Sequence, residues 1–182
     1  MYVQQLKRRT VTSNILTVYY SRKGFNYWNG SIVDLKKGNT QIAAEMVQKA
    51  VGGDLFEIRT VKEYARDYRA CCEEARQEMR EKARPQLKDL PTSLDGYDIL
   101  FVGYPCWCGT MPMAVFSFLE KYDLTGKKIA PFCFNEGSGM GFSERDLKEI
   151  CKGAEVVQGL SVRGSRTAES EQEIAAWARS VL

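Results

Sequence analysis

The amino-acid sequence predicts one α/β domain: a three-layer α/β/α sandwich built on a five-stranded parallel sheet. Apolar runs of strand length alternate with helical patterns five times along the chain, which is typical of parallel sheets with helical crossovers. Right-handed crossovers would place helices on both faces of the sheet. The length of 182 residues fits a single domain with a substantial core.

Five apolar runs are the predicted strands. The first, residues 14–20, is apolar on both faces, as expected for a strand at the centre of a parallel sheet. The third has Ile99, Leu100, Phe101 and Val102 at its centre. The predicted strands are residues 14–20, 54–60, 97–103, 128–134 and 155–160.

A helix is predicted after each strand. In the first, Ile42 and Val47 belong to one apolar face, and Gly52 and Gly53 end the helix. The second is highly charged with both signs mixed, and we interpret its charges as a solvated face. Ser143 is the expected N-cap of the fourth helix. The predicted helices are residues 39–51, 67–84, 112–121, 142–152 and 168–182.

Residues 24–37 form an unusually long connection between the first strand and the first helix. Strand-to-helix connections usually have about 2–6 residues. The segment contains Phe25, Tyr27 and Trp28. A functional loop and a surface insertion both remain open for it.

The amino-acid composition limits the kinds of partner that this chain is expected to bind. Lys and Arg number 26 against 23 Asp and Glu, so the net charge is 26 − 23 = +3. There is no basic stripe interleaved with aromatics, so we expect no nucleic-acid partner. No apolar run approaches the ~20 residues of a membrane span. Residues 1–13 lack the features of a signal peptide; we expect a solvated extension, with a domain from 14 to 182 in a cytoplasmic protein.

The chain contains six cysteines and no histidine. This excludes Ser-His and Cys-His catalysis and His-ligated metals, and we expect no metal site. Neither Cys71 with Cys72 nor Cys106 with Cys108 has C-x-x-C spacing. Reduced thiols are therefore the expectation, and Cys133 is interpreted as a small core residue.

A strand that leads into a Gly-Asn-Thr helix start predicts a phosphate site. The N–H groups of the first helical turn have no partner within the helix, and the helix dipole adds positive charge there. Gly38 would let an anion come close, and Ser21, Asn39 and Thr40 could add side-chain hydrogen bonds. An ordinary helix N-cap would have the same sequence, so support must come from other loops.

Two later loops follow predicted strands and should reach the same sheet edge. Residues 103–112 present one large flat aromatic side chain, Trp107, between Pro105 and Gly109. Residues 135–141 are rich in glycine, so their backbone N–H groups could approach a planar polar ligand. Together the three loops suit a ligand with a phosphate at one end and a polar-edged aromatic ring at the other, a description that FMN meets. A turn and an unrelated aromatic residue are the alternatives.

The chain resembles the flavodoxin-like family over nearly its whole length beyond the first dozen residues. Four segments carry the resemblance: Ile15 to Ser21, Gly38 to Thr40, Gly103 to Pro112, and Gly137 to Gly139. The resemblance implies strand order 2-1-3-4-5 and non-covalently bound FMN. By matching position, Ser21, Gly38, Asn39 and Thr40 would hold the phosphate. Pro105, Cys106, Trp107, Cys108, Gly109 and Thr110 would flank the ribityl chain and ring. Asn135, Glu136, Gly137, Ser138 and Gly139 would meet the polar edge of the ring.

The implied function is electron transfer from a donor such as NAD(P)H through FMN to a quinone-like or protein acceptor, with no side chain assigned as catalytic acid or base. The chain departs from the family pattern because residues 22–37 split the phosphate motif and because it is not acidic. The alternatives are a one-electron carrier without a small-molecule substrate, a binding module that has lost FMN, and a redox role for Cys106 and Cys108. The oligomeric state stays open, a homodimer included.

Overall fold

The computed structural model describes residues 14–182, so the predicted extension at 1–13 lies outside the described residues. Its centre is a parallel sheet of five main strands in the order β4-β1-β7-β8-β10. In chain order this is 2-1-3-4-5, as expected. The main strands are β1 (Ile15–Tyr19), β4 (Asp54–Glu57), β7 (Ile99–Pro105), β8 (Lys128–Asn135) and β10 (Leu160–Arg163).

Helices cover both faces of this sheet, which confirms the three-layer sandwich. On one face α1 and α5 pack with the sheet through Val47 and Ile174, and on the other α3 and α4 pack through Phe118 and Leu147. The helices are α1 (Asn39–Val51), α2 (Tyr68–Glu81), α3 (Met113–Leu119), α4 (Ser143–Ile150) and α5 (Glu171–Val181).

Residues 24–35 form a β-hairpin rather than a loop, and in this respect the sequence prediction was incomplete. Strands β2 (Gly24–Trp28) and β3 (Ser31–Leu35) pair antiparallel. The turn residues Asn29 and Gly30 have φ values of 44° and 95°. Two-residue turns with positive φ match the twist of a hairpin and favour Asn-Gly. This Asn-Gly pair was therefore a hairpin signal in the sequence.

Arg22 attaches the hairpin to the chain before α2. Its guanidinium donates to the carbonyl oxygens of Ala65 and Arg66, at 2.8 Å each, and to the carbonyl oxygen of Phe25 in the hairpin. Arg66 in turn lies over the Phe25 ring, with 5.4 Å from its guanidinium carbon to the ring centroid. One side chain thus fixes the hairpin beside α2.

Several predicted boundaries shift. The second strand region divides, because β5 (Arg59–Thr60) pairs with β6 (Leu87–Lys88) in a separate ribbon. The fifth strand begins as a short piece, β9 (Glu155–Val156), which also pairs with β8. A 3₁₀ helix, Gly164–Glu169, precedes α5.

Ser143 is not the N-cap of α4, contrary to the prediction. It is the first helical residue, and its hydroxyl is buried, where it donates to the Met140 carbonyl oxygen at 2.6 Å and accepts from the Tyr104 hydroxyl at 2.8 Å. Within residues 14–182, no helix is both long enough and apolar enough to cross a bilayer.

Replacing Gly103 with alanine is expected to destabilise the fold. A Cβ atom there would lie 2.3 Å from Phe132 Cζ and 3.0 Å from Thr40 Cγ2, and overpacking of a core typically costs about 1–3 kcal/mol. Gly96→Ala is the matched control, because no atom lies within 4 Å of its added Cβ. Urea unfolding of both variants checks this, and equal midpoints would contradict it.

Candidate functional site

The loops after β1, β7 and β8 meet around one cavity of about 440 Å³ at the carboxyl ends of the strands. Thr40, Trp107 and Ser138, one from each loop region, all line it. Ligands of open parallel sheets bind at this edge, where the strand order reverses, and the volume is within the usual range of ligand pockets. The predicted convergence of the three segments is therefore present.

Nine of the fifteen predicted site residues line the cavity, and six do not. The nine are Asn39, Thr40, Pro105, Cys106, Trp107, Cys108, Asn135, Glu136 and Ser138. The other six, Ser21, Gly38, Gly109, Thr110, Gly137 and Gly139, are not among the lining residues.

The start of α1 offers unpaired amide groups to the cavity. Within the described residues, the N–H groups of Asn39 and Thr40 find no protein acceptor, whereas that of Gln41 donates to Ser21 Oγ at 3.1 Å. Ser21 therefore accepts a hydrogen bond from the first turn of α1 and caps the start of the helix. A Cβ atom on Gly38 would lie 2.2 Å from Ser21 Oγ, so glycine is needed for this approach. No acidic residue occupies the first turn, which leaves the helix dipole free to favour an anion.

Trp107 is held edge-on by two tyrosine rings. Its centroid lies 5.4 Å from that of Tyr20 and 5.0 Å from that of Tyr64, with interplanar angles of 76° and 86°. This is the geometry that aromatic pairs prefer. Trp107 also pairs with Thr110, whose hydroxyl donates to Asp146 Oδ2 at 2.6 Å. Thr110 thus faces α4 and anchors the loop instead of lining the cavity.

The glycine-rich loop uses part of its backbone internally. The N–H groups of Gly137 and Gly139 donate to Asn135 Oδ1 at 2.9 and 3.0 Å, so these two amides are not available to a ligand as the sequence suggested. Glu136 accepts from the Ser165 amide at 2.6 Å and from its hydroxyl at 3.0 Å. Ser138 lines the cavity.

The hairpin and α2 form two further walls that the sequence analysis did not include. Their lining residues are Arg22, Asn26, Tyr27 and Leu35 near the hairpin, and Tyr68, Cys71, Cys72, Ala75 and Arg76 on α2. The rings of Tyr27 and Tyr68 stack across the two walls, 6.4 Å between centroids and 30° between planes. The Asn-Gly turn could have revealed the hairpin, but no signal in the sequence indicates that it faces the cavity.

Four of the six cysteines line this cavity, and all six are free thiols. The Cys133 thiol, the Ser138 hydroxyl and the Gly109 amide favour the Cys106 thiolate and lower the pKa of Cys106 to about 6. Burial instead raises the pKa of Cys71 to about 11, and it also raises that of Cys108. In the part of the chain that the structure describes, no group of three or more potential metal ligands is found.

Comparisons with known proteins agree with this architecture. A family model described as flavodoxin matches residues 34–181. The crystal structure of a presumed flavoprotein from Bacteroides eggerthii is 29% identical, with a TM-score of 0.74, over 93% of this chain and 98% of that one. One from Bacteroides uniformis is 26% identical, with a TM-score of 0.72, over 92% and 98%.

A more distant structure has the same fold. The flavoprotein from Lactobacillus acidophilus in complex with FMN is 17% identical, with a TM-score of 0.61, over 88% of this chain and 99% of that one. No curated protein matches the chain.

Alkylation should distinguish Cys106 from Cys108. The thiolate is the reactive form, so iodoacetamide is expected to modify Cys106 with a midpoint near pH 6, whereas the more exposed Cys108 reacts at higher pH. Peptide mass spectrometry across a pH series measures both. Ser138→Ala should move the Cys106 midpoint upward, and Ser180→Ala on α5 should not. Faster modification of Cys108 at pH 7 would refute the assignment.

Proposed function

This chain belongs to the flavodoxin family, and on that premise we propose that it binds FMN in the cavity and transfers electrons from a donor such as NAD(P)H to a small-molecule acceptor of the quinone type. The observation that carries the proposal is the joining of unpaired helix amides, Trp107 and Ser138 in one cavity. The FMN complex of the Lactobacillus acidophilus flavoprotein, which has this fold, is further support.

The residues present fit FMN at both ends. The amides of Asn39 and Thr40 would hold the phosphate, and Arg22 on the same lining adds positive charge. Arg22 and Arg76 outnumber Glu136, whose carboxylate is already bonded to Ser165, so the lining favours an anionic ligand. Pro105, Cys106, Trp107 and Cys108 would flank the ribityl chain and ring, and Asn135, Glu136 and Ser138 would meet its polar edge. The six predicted residues that do not line the cavity would support these contacts through the loops to which they belong.

Bound FMN would supply the redox chemistry, and the chain would supply orientation and electrostatics. Trp107, fixed by Tyr20 and Tyr64, presents a flat surface that orients a planar ring. Tyr27 and Tyr68 add two stacked aromatic rings to the cavity lining. No side chain is needed as acid or base in this scheme.

The two extra walls favour a small-molecule acceptor over a protein partner. The hairpin and α2 stand beside the three ligand loops, where a docking protein would have to approach. The charge of +3 also lacks the negative surface by which acidic electron carriers attract partners. A one-electron carrier is the second candidate.

Six free thiols suit a reducing compartment, and we place the protein in the cytoplasm on that basis.

FMN is expected to bind more tightly than riboflavin, because only FMN has a phosphate for the helix amides. Hydrogen bonds to a charged group contribute roughly 1.5–3 kcal/mol, which is about 10- to 100-fold in Kd. Thr40→Val keeps the amides but removes the side-chain hydroxyl, which could add a hydrogen bond to the phosphate, and should therefore reduce this preference. Trp107→Phe should weaken both ligands alike, and Thr92→Ala, outside the cavity, should change neither. Calorimetric titration measures the affinities, and equal affinity for the two flavins would remove the phosphate site.

Steady-state oxidation of NAD(P)H with a quinone separates the enzyme from the carrier. Turnover is expected, and its absence in FMN-loaded protein would favour the carrier. Tyr27→Ala should raise KM for the quinone about tenfold, the effect of losing about 1.4 kcal/mol of binding. Ile32→Ala is the matched control, because Ile32 is exposed on the same hairpin and does not line the cavity.

A further inference from the structure

Trp107 connects the cavity to a tyrosine that is bonded to a carboxylate. Trp107 lines the cavity, and its ring contacts Tyr64 edge-on with 5.0 Å between centroids. The Tyr64 hydroxyl donates to Glu78 Oε2 at 2.6 Å, the short distance typical of a bond to a charged oxygen. Glu78 is on α2 and is half-buried. Trp107, Tyr64 and Glu78 thus form a continuous series of contacts from the cavity to α2.

Glu78 is suited to accept the proton of Tyr64. Burial raises the pKa of Glu78 and so makes its carboxylate a stronger base. Burial and the bonded carboxylate raise the pKa of Tyr64, so the phenol retains its proton until it is oxidised. A tyrosine that loses an electron must also lose this proton, and here the acceptor is already within hydrogen-bond distance.

We propose that Trp107, Tyr64 and Glu78 form a proton-coupled path that moves a one-electron oxidation from the cavity to Tyr64, with Glu78 on α2 as the acceptor of the proton. An oxidant in the cavity takes one electron from Trp107 and leaves an indole radical cation. Tyr64 then gives one electron to Trp107 and its hydroxyl proton to Glu78. The products are neutral Trp107, a neutral tyrosyl radical and a protonated Glu78. The oxidant is photoexcited FMN, so this role rests on the proposed function, whereas the path itself does not.

Tyr20 provides an internal comparison. It lies almost as close to Trp107, 5.4 Å between centroids, but among the hydrogen bonds of residues 14–182 its hydroxyl has no carboxylate acceptor. Without a hydrogen-bonded base, its oxidation would leave a charged phenol in the core. The path therefore ends at Tyr64.

The cavity gives this path a purpose. Cys71, Cys72, Cys106 and Cys108 line the same space, and thiols are readily oxidised. A route through Trp107 and Tyr64 removes oxidising equivalents before they reach these sulfurs.

Pulse radiolysis tests the path without relying on FMN. Azidyl radicals oxidise tryptophan in the full chain as purified, with or without added FMN. We expect the tryptophanyl absorption to convert to tyrosyl absorption at a rate independent of protein concentration. Trp107→Phe and Tyr64→Phe should abolish this conversion. Glu78→Gln, which keeps a hydrogen-bond acceptor but removes the base, should slow it about 100-fold, the lower end of what a positioned base contributes.

Two phenylalanine variants are controls that keep their rings. Tyr20→Phe should leave the conversion unchanged, and so should Tyr97→Phe, which removes a similar tyrosine–carboxylate bond to Asp54, 2.6 Å long and away from the cavity. Under illumination of FMN-loaded protein, Tyr64→Phe should show more oxidised Cys106 by mass spectrometry. Unchanged conversion in Tyr64→Phe, or its loss in Tyr20→Phe, would overturn the proposal. Failure of FMN to bind would remove only the illumination arm.

Discussion

The parallel register of the three central strands is the constraint on which the site depends. Tyr19 of β1 pairs with Gly103 of β7, which pairs with Phe132 of β8. The loops that follow these three strands therefore begin close together at one edge of the sheet. Gly103 also has no side chain where the Phe132 ring and the Thr40 methyl group pack. The start of α1 can therefore rest on the sheet edge with its free amides facing the cavity. A change in the register of Tyr19, Gly103 and Phe132 would move the start of α1 relative to the loops that follow β7 and β8.

The sequence was informative where burial imposes a pattern. Strands such as β1 are buried at every position, and a continuous apolar run between helical patterns can be detected without coordinates. The positions of the central strands and the approximate place of the three loops followed from this pattern, whereas the order of the strands was implied by the family resemblance. The fifth strand was less clear, because it is interrupted between Val156 and Leu160 and β10 is only partly buried.

The two additional walls could not be predicted in the same way. The hydrophobic hairpin residues Tyr27 and Ile32 are exposed, and each is followed directly by another hydrophobic residue. The hairpin sequence therefore lacks the apolar–polar alternation that marks a half-buried strand, and only the Asn29-Gly30 turn indicates pairing. Helix α2 was interpreted as a solvated face because of its charges, and most of it is solvated. Its cavity face carries small and polar side chains, among them Cys72 and Arg76. The sequence of α2 therefore gave no sign that one face of the helix lines a cavity.

Local competition for hydrogen bonds also separates the site from its sequence. Glycine-rich loops were expected to give their amides to a ligand, yet Asn135 accepts from two of them and so makes the loop rigid. Ser21 likewise serves the α1 start. These bonds restrict the backbone around the cavity, which lowers the conformational entropy that would be lost when a ligand binds. Trp107 follows the same principle, since Tyr20 and Tyr64 fix its plane. Tyr64 thus has two roles in this account. Its ring fixes Trp107 in the cavity, whereas its hydroxyl, bonded to Glu78, is needed only for the proposed oxidation path.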